Sequence, residues 1–132
     1  MANYFQNPVD LIYDKSKRLI PDFDHITEDR ENRFPSSFKS LTKPQQIEKI
    51  KATINTALVR VDRNYKTAIP QYYNGSIQLL LPLCLDDIEK ADVALVVAKE
   101  GEVYRANTIL SLDLAYNNAR LLARPDREWL NP

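Results

Sequence analysis

The chain has one cysteine, one histidine and two glycines in 132 residues, and each shortage closes off a type of chemistry. A single cysteine cannot form an internal disulfide. Cys84 lies in the apolar run 79–85 and reads as a buried structural thiol rather than a reactive one. One cysteine and one histidine leave no usual set of zinc ligands. Two glycines allow neither a P-loop nor another glycine-rich phosphate cradle. An excess of either charge is also lacking: eighteen basic residues face eighteen acidic ones. This balance argues against a long nucleic-acid footprint driven by counterion release, although a local basic patch remains open. No apolar run approaches the length of a membrane span, and MANYFQNPVD lacks the basic and apolar regions of a secretory signal. The expectation is a cytoplasmic protein, a single domain over 1–132, with no membrane partner and no cofactor.

What is present is ordinary globular composition, 44% hydrophobic and 27% charged. Residues 9–13 and 18–20 are short apolar pieces around a polar 14–17, which reads as a hairpin or a pair of short strands. Residues 21–40 form a proline-bounded, charge-rich loop, and Phe23, Phe34 and Phe38 mark it as packed. Thr42-Lys43-Pro44-Gln45 fits a capping box. Ile47, Ile50, Ile54, Ala57, Leu58 and Val61 then recur at helical spacing, predicting an amphipathic helix that ends between Asp62 and Lys66. Ile69-Pro70 reads as a break and Tyr72-Tyr73-Asn74-Gly75 as a turn, followed by a strand over 76–81. Pro82 marks a bulge, an edge or the strand's end. Residues 93–98 and 103–110 flank a second turn and read as a hairpin. A last helix starts near Ser111 and stops before Pro125. This order predicts an α+β fold: a mainly antiparallel sheet with one long amphipathic helix and a C-terminal helix.

The C-terminal helix sets Asn117 and Asn118 in an otherwise apolar pattern. Asparagine is a mediocre helix former, so these residues serve through their side chains. With Leu114 at the centre of the apolar side, Asn118 falls inside the apolar arc and Asn117 on its flank. Asp113, Asn117, Arg120 and Arg124 form a neighbouring polar stripe. Asn118 can fasten the helix to a strand edge or to the 23–38 loop. Alternatively, the pair opens on a cleft that takes a base, ribose or phosphate. Arg120 and Arg124 suit the negative end of the helix dipole or a phosphate.

Two further blocks combine arginine, asparagine and an aromatic: Glu31-Asn32-Arg33-Phe34-Pro35 and Arg60-Val61-Asp62-Arg63-Asn64-Tyr65-Lys66. Arginine grips phosphate with a bidentate fork, asparagine reads base or ribose edges, and tyrosine stacks. Solvated helix ends and packed tyrosines explain the same residues without a ligand. His25 sits among Asp22, Asp24, Glu28 and Glu31; it is a surface residue or the general acid–base of a metal-independent phosphodiesterase or nuclease. The carboxylates Asp22, Asp24, Glu28 and Asp29 match no known metal-binding loop.

The blocks HITEDRENRFP, NYKTAIPQYY, IQLLLPLCL and TILSLDLAYNNARLLARPDREWL resemble the closing part of a bacterial family of domains of unknown function, across most of residues 5–130. Larger members of that family can carry cold-shock-type or LOTUS-like modules, neither of which is legible in this chain. The resemblance implies an intact domain and a tilt towards RNA or nucleotide handling. His25, Glu31, Asn32, Arg33, Asn64, Lys66, Tyr116, Asn117, Asn118 and Arg120 lie within the matching blocks.

The leading expectation is an RNA- or nucleotide-binding domain with an Arg/Asn/Tyr cleft beside the C-terminal helix. Arg33, Arg63, Lys66 and Arg120 would meet phosphate; Asn32, Asn64, Asn117 and Asn118 would meet base or ribose; Tyr72 or Tyr73 would stack. The alternatives are the His25 phosphodiesterase or nuclease, with Arg33 or Lys66 stabilising phosphate charge, and a small bacterial or phage protein-interaction module.

Overall fold

The structure is a computed structural model that describes residues 8–28, 33–120, 122, 128–130 and 132. Five strands form one sheet: β1 (Arg18–Pro21), β2 (Ile69–Tyr73), β3 (Ser76–Leu83), β4 (Val93–Glu100) and β5 (Val103–Leu110). Their order is β1-β5-β4-β3-β2, with β1 parallel to β5 and every other pair antiparallel. Two short helical turns, α1 (Phe23–Ile26) and α2 (Ser36–Lys39), precede the long α3 (Lys43–Arg63); α4 (Leu112–Ala119) follows β5. The fold is α+β with a mostly antiparallel sheet, a long helix and a C-terminal helix, as the pattern predicts.

The predicted capping box forms. Thr42 Oγ1 accepts the Gln45 N–H and Gln45 Oε1 accepts the Thr42 N–H, satisfying two donors that a helix start otherwise leaves unpaired. Ile50, Ile54, Ala57 and Val61 of α3 are buried against Leu79, Leu81, Leu83, Val93, Leu95 and Val97 of the sheet. Burying each large aliphatic side chain contributes about 1.5–3 kcal/mol, so this stripe holds α3 in place more firmly than helix propensity does. Phe34 and Phe38, with ring centroids 4.3 Å apart, close the same core, and Phe23 packs beside it. The described parts of the 21–40 segment are therefore packed as expected, and they include two helical turns.

The opposite face of the sheet carries the second core. Ile69, Leu80, Ala94 and Val96 meet Ala115 and Ala119 of α4, together with Leu130 and Trp129. Small residues on α4 let the helix lie close to the sheet. Leu114, expected at the centre of its apolar side, is instead 46% exposed. The buried line runs through Ala115 and Ala119, because alanine fits where a leucine would hold the helix away.

Two other expectations are corrected, and the reading of Pro82 is narrowed. Residues 9–13 and 18–20 do not make a hairpin: Pro8–Leu11 is a 3-10 turn, and β1 pairs with β5, a partner more than eighty residues on. Ile69-Pro70 does not interrupt the chain but opens β2. The hairpin register makes Tyr73↔Ser76 and Gln71↔Gln78 the hydrogen-bonded pairs, so Pro70 faces the open side of an edge strand, where its missing N–H costs no ladder bond. Pro82 likewise lies inside β3, where its nitrogen faces the side that β2, ending its pairing at Ile69↔Leu80, no longer covers. Of the three readings of Pro82, the edge reading fits.

The β2–β3 turn has positive φ at both central residues, 50° at Asn74 and 80° at Gly75, the requirement of a type I′ hairpin. The predicted β4–β5 hairpin is present. Between Val96↔Thr108 and Ala98↔Arg105, β5 carries one residue more than β4. This bulge switches the alternation of β5, so that Tyr104, Ala106 and Ile109 all face the α3 side.

Candidate functional site

The candidate residues fall into separate groups. The first lies along β5. Beyond Pro21↔Ala106, β1 no longer covers this strand, and Asp22 N–H donates to the Ala106 carbonyl at 2.9 Å. The next outward carbonyls are met by side chains: His25 Nδ1 donates to Asn107 O and Arg33 Nη1 donates to Ile109 O. A carbonyl only accepts, so Nδ1 carries the proton and, in the neutral ring, Nε2 holds the lone pair. His25 is exposed on α1, held by the Asp22 cap, while Arg33 is half-buried. Asn32 lies outside the described residues, as do Asp29, Glu31, Leu121 and Arg124.

The second group lies at the end of α3. Arg63 is its last residue, and Asn64 caps both α3 and the following 3-10 turn (Tyr65–Thr67), its Oδ1 accepting the Lys66 N–H at 3.1 Å. The Asn64 side-chain oxygen is thus spent on backbone. Arg63, Tyr65 and Lys66 are exposed. Among the described residues, neither Arg63 nor Lys66 has an ion-pair partner.

The third group belongs to α4. Asn118 Nδ2 donates to Gln71 Oε1 at 3.2 Å, and Gln71 Nε2 donates to Gln78 Oε1 at 3.0 Å. Asn118 therefore fastens its helix to the edge strand β2. Asn117 and Arg120 are exposed; Arg120 is the C-cap, its N–H bonded to Tyr116 O. Tyr72 is half-buried on β2, next to Gln71 but on the other side of the strand.

Trp129 links the second and third groups: its Nε1 donates to Thr67 O at 2.6 Å while its ring packs with the α4 layer. The β5 group stays apart, since β4 and β3 separate β5 from β2 by three strand spacings, about 14 Å. The single cleft expected beside α4 is therefore not what gathers these residues.

Among the described residues, concave surface is present beside α3 and beside α1. A cavity of about 220 Å³ between α3 and the β3–β4 connection is lined by Lys49, Thr53, Thr56, Arg60, Cys84 and Asp86, among others. A wider depression of about 490 Å³ lies beside α1, with Asp22, Asp24, Arg105 and Asn107 on its walls. Cys84 is half-buried rather than fully buried. Burial pushes its thiol up and so favours the protonated form, against the lowering pull of the Arg60 guanidinium. Among the described residues, no group of three or more His, Cys, Asp or Glu side chains gathers to hold a metal ion. Among the same residues, no helix is long and apolar enough to cross a membrane.

The sequence reading missed Thr53 and left Arg60 without a role. The signal for Thr53 was legible: it is a polar residue on the buried stripe, three after Ile50 and four before Ala57.

The architecture is thus that of an α+β domain, one sheet covered by α3 on one face and α4 on the other. Over residues 1–129 the chain matches the family described as Domain of unknown function (DUF3825), and it belongs to that family. No curated protein and no solved structure matches it.

Proposed function

We propose that the domain binds RNA or a nucleotide at the surface where α3 ends. The observation that carries this reading is Tyr65, 54% exposed between Arg63 and Lys66. A tyrosine ring left this open forgoes the burial that usually holds it, and a ring flanked by unpaired cations suits a base on its face and phosphates on either side. Neutral net charge fits a short contact of this kind rather than a long footprint. The dipole at the end of α3 also favours Arg60 and Arg63 where they are. It does not account for an exposed ring between the cations. Asn117 and Arg120, on the layer that Trp129 ties to this turn, would extend the surface.

The test is fluorescence anisotropy with a labelled single-stranded RNA, competed by a nucleotide. Tyr65→Ala should weaken binding about five- to 150-fold, the measured range for one base–aromatic stack. Arg63→Ala with Lys66→Ala should flatten the salt dependence by about 0.7 for each phosphate that is no longer neutralised. Wild-type affinity in both variants would overturn the reading.

A second reading has its own observation. The bond from His25 Nδ1 to Asn107 O orients the ring and leaves Nε2 to act as a base, and Asn107 itself lines a depression walled by Asp22, Asp24 and Arg105. This is the posture of a general base in a phosphodiesterase or nuclease. Turnover of RNA or a cyclic nucleotide by wild type and its loss in His25→Ala would support it; equal rates in both would remove it.

A further inference from the structure

We propose that the cavity between α3 and the β3–β4 connection is a binding site for a phosphoryl group, gripped by Arg60, Lys49 and the Thr53 hydroxyl. Lys49, Thr53, Thr56 and Arg60 recur at i, i+4, i+7 and i+11 on α3, which lines them along one side of the helix at the edge of its buried stripe. The inference does not depend on RNA binding at Tyr65, because its ligand and its residues are different.

Two side chains in the cavity have hydrogen-bonding capacity that the protein does not use. Thr53 is only 6% exposed, yet it makes no hydrogen bond among the described residues. No polar side-chain atom among those residues is sealed from solvent without a partner, so the Thr53 hydroxyl opens on the cavity.

Arg60 is half-buried, and among the described residues its guanidinium has one side-chain hydrogen-bond partner, the Cys84 Sγ, at 3.9 Å. A neutral thiol is a weak acceptor and no counter-ion. The nearby Asp86 is held by the Ser37 hydroxyl, and Asp92 accepts the backbone N–H groups of Leu85 and Asp86. The arginine fork therefore faces the cavity with donors to spare, and Lys49 adds a second positive charge to the lining against the single carboxylate of Asp86.

The size of the cavity narrows the ligand. At about 220 Å³ it falls below the ~300–1,000 Å³ usual for drug-sized molecules, so it suits a phosphate or a phosphomonoester head rather than a whole nucleotide. Three donor types reaching in from one helix side match the several oxygens of a tetrahedral anion better than the two coplanar oxygens of a carboxylate.

Isothermal titration with inorganic phosphate, a nucleoside 5′-monophosphate and acetate tests this on the whole chain. Wild type should bind phosphate or the monophosphate saturably, with Kd on the order of 1 mM or tighter, about −4 kcal/mol. Binding of both identifies free phosphate as sufficient, and binding of the monophosphate alone identifies the ester as the ligand. Arg60→Gln should weaken either at least about tenfold through loss of a charge-assisted pair, and Thr53→Val about two- to tenfold. Thermal midpoints near wild type establish that both variants fold. No saturable heat with either phosphate ligand, acetate binding as tightly as phosphate, or wild-type affinity in both folded variants would each overturn the assignment.

Discussion

The amide of Asn118 donates to Gln71 Oε1 at 3.2 Å, and Gln71 passes a second bond to Gln78 at 3.0 Å. Gln71 is 1% exposed, so this short chain of amides is what makes a glutamine tolerable inside the second core. It also explains an asparagine in the helix: the side chain recovers in hydrogen bonding what it lacks in helix propensity.

Asn118→Leu should therefore destabilise by about 1–3 kcal/mol, because it leaves a buried amide oxygen without its donor. Urea unfolding should show a lower midpoint at unchanged slope. Asn118→Leu combined with Gln71→Leu should cost less than the two single changes added together, since both polar groups leave at once. Strict additivity would show that the bond contributes nothing.

A second expectation concerns alkaline pH. Tyr13 stacks on Tyr104 with centroids 4.6 Å apart, and burial, with the neighbouring Tyr104, Asp14 and Asp62, pushes its phenol up to about 12. Burial raises Tyr104 as well, against the lowering effect of the Asp14 N–H that its hydroxyl accepts at 2.8 Å. A phenol with a raised folded pKa stabilises fully below its unfolded value of 10.0 and loses that contribution as pH rises through about 12. Thermal midpoints should fall across this window, and Tyr13→Phe should flatten the fall. An identical pH profile in the variant would show that Tyr13 does not govern it.

At the start of α3, Thr42→Ala removes the acceptor for Gln45 N–H and leaves Gln45 with half of a reciprocal pair. The expected loss is about 1 kcal/mol, visible in chemical denaturation. Thr42→Asp should retain most of the stability, because a carboxylate caps the same N–H and suits the positive end of the helix dipole.

In the β2–β3 turn, Gly75 has φ 80° and nothing within 4 Å of where a Cβ would stand. Gly75→Ala should cost about 1–2 kcal/mol, the left-handed penalty of an L-residue, with no further clash against the surrounding fold. Hydrogen exchange should quicken locally in β2 and β3 while the α3 core stays protected.

The legible parts of the fold were those whose cause is local. Thr42 and Gln45 lie three residues apart and announce a helix start. The aliphatic spacing from Ile47 to Val61 announces its buried stripe, and Gly101 between two apolar runs announces the β4–β5 hairpin. The elements that were misread depend on distant partners. Pro70 looks like a break until β2 proves to be an edge strand with its nitrogen outward. Leu114 looks like the centre of a buried face until Ala115 and Ala119 prove to be the contact with the sheet.

The same division runs through the candidate sites. Arg63, Tyr65 and Lys66 were visible as a block because they are neighbours in the chain. The cavity was not, because Thr53 and Arg60 meet Cys84 and Asp86 only after β3 has crossed beneath α3. His25 and Arg33 were readable as functional types. That they serve two carbonyls of β5 follows from where β1 stops pairing.

Sequence alone determined the fold class, the long helix with its cap, one hairpin and the family, because each rests on residues close together or on a pattern spread along the chain. Tertiary structure decided which polar side chains meet. Hydrogen bonds and cavities join groups by distance in space, and a five-stranded sheet with a parallel first strand brings residues together in an order that the chain itself does not follow.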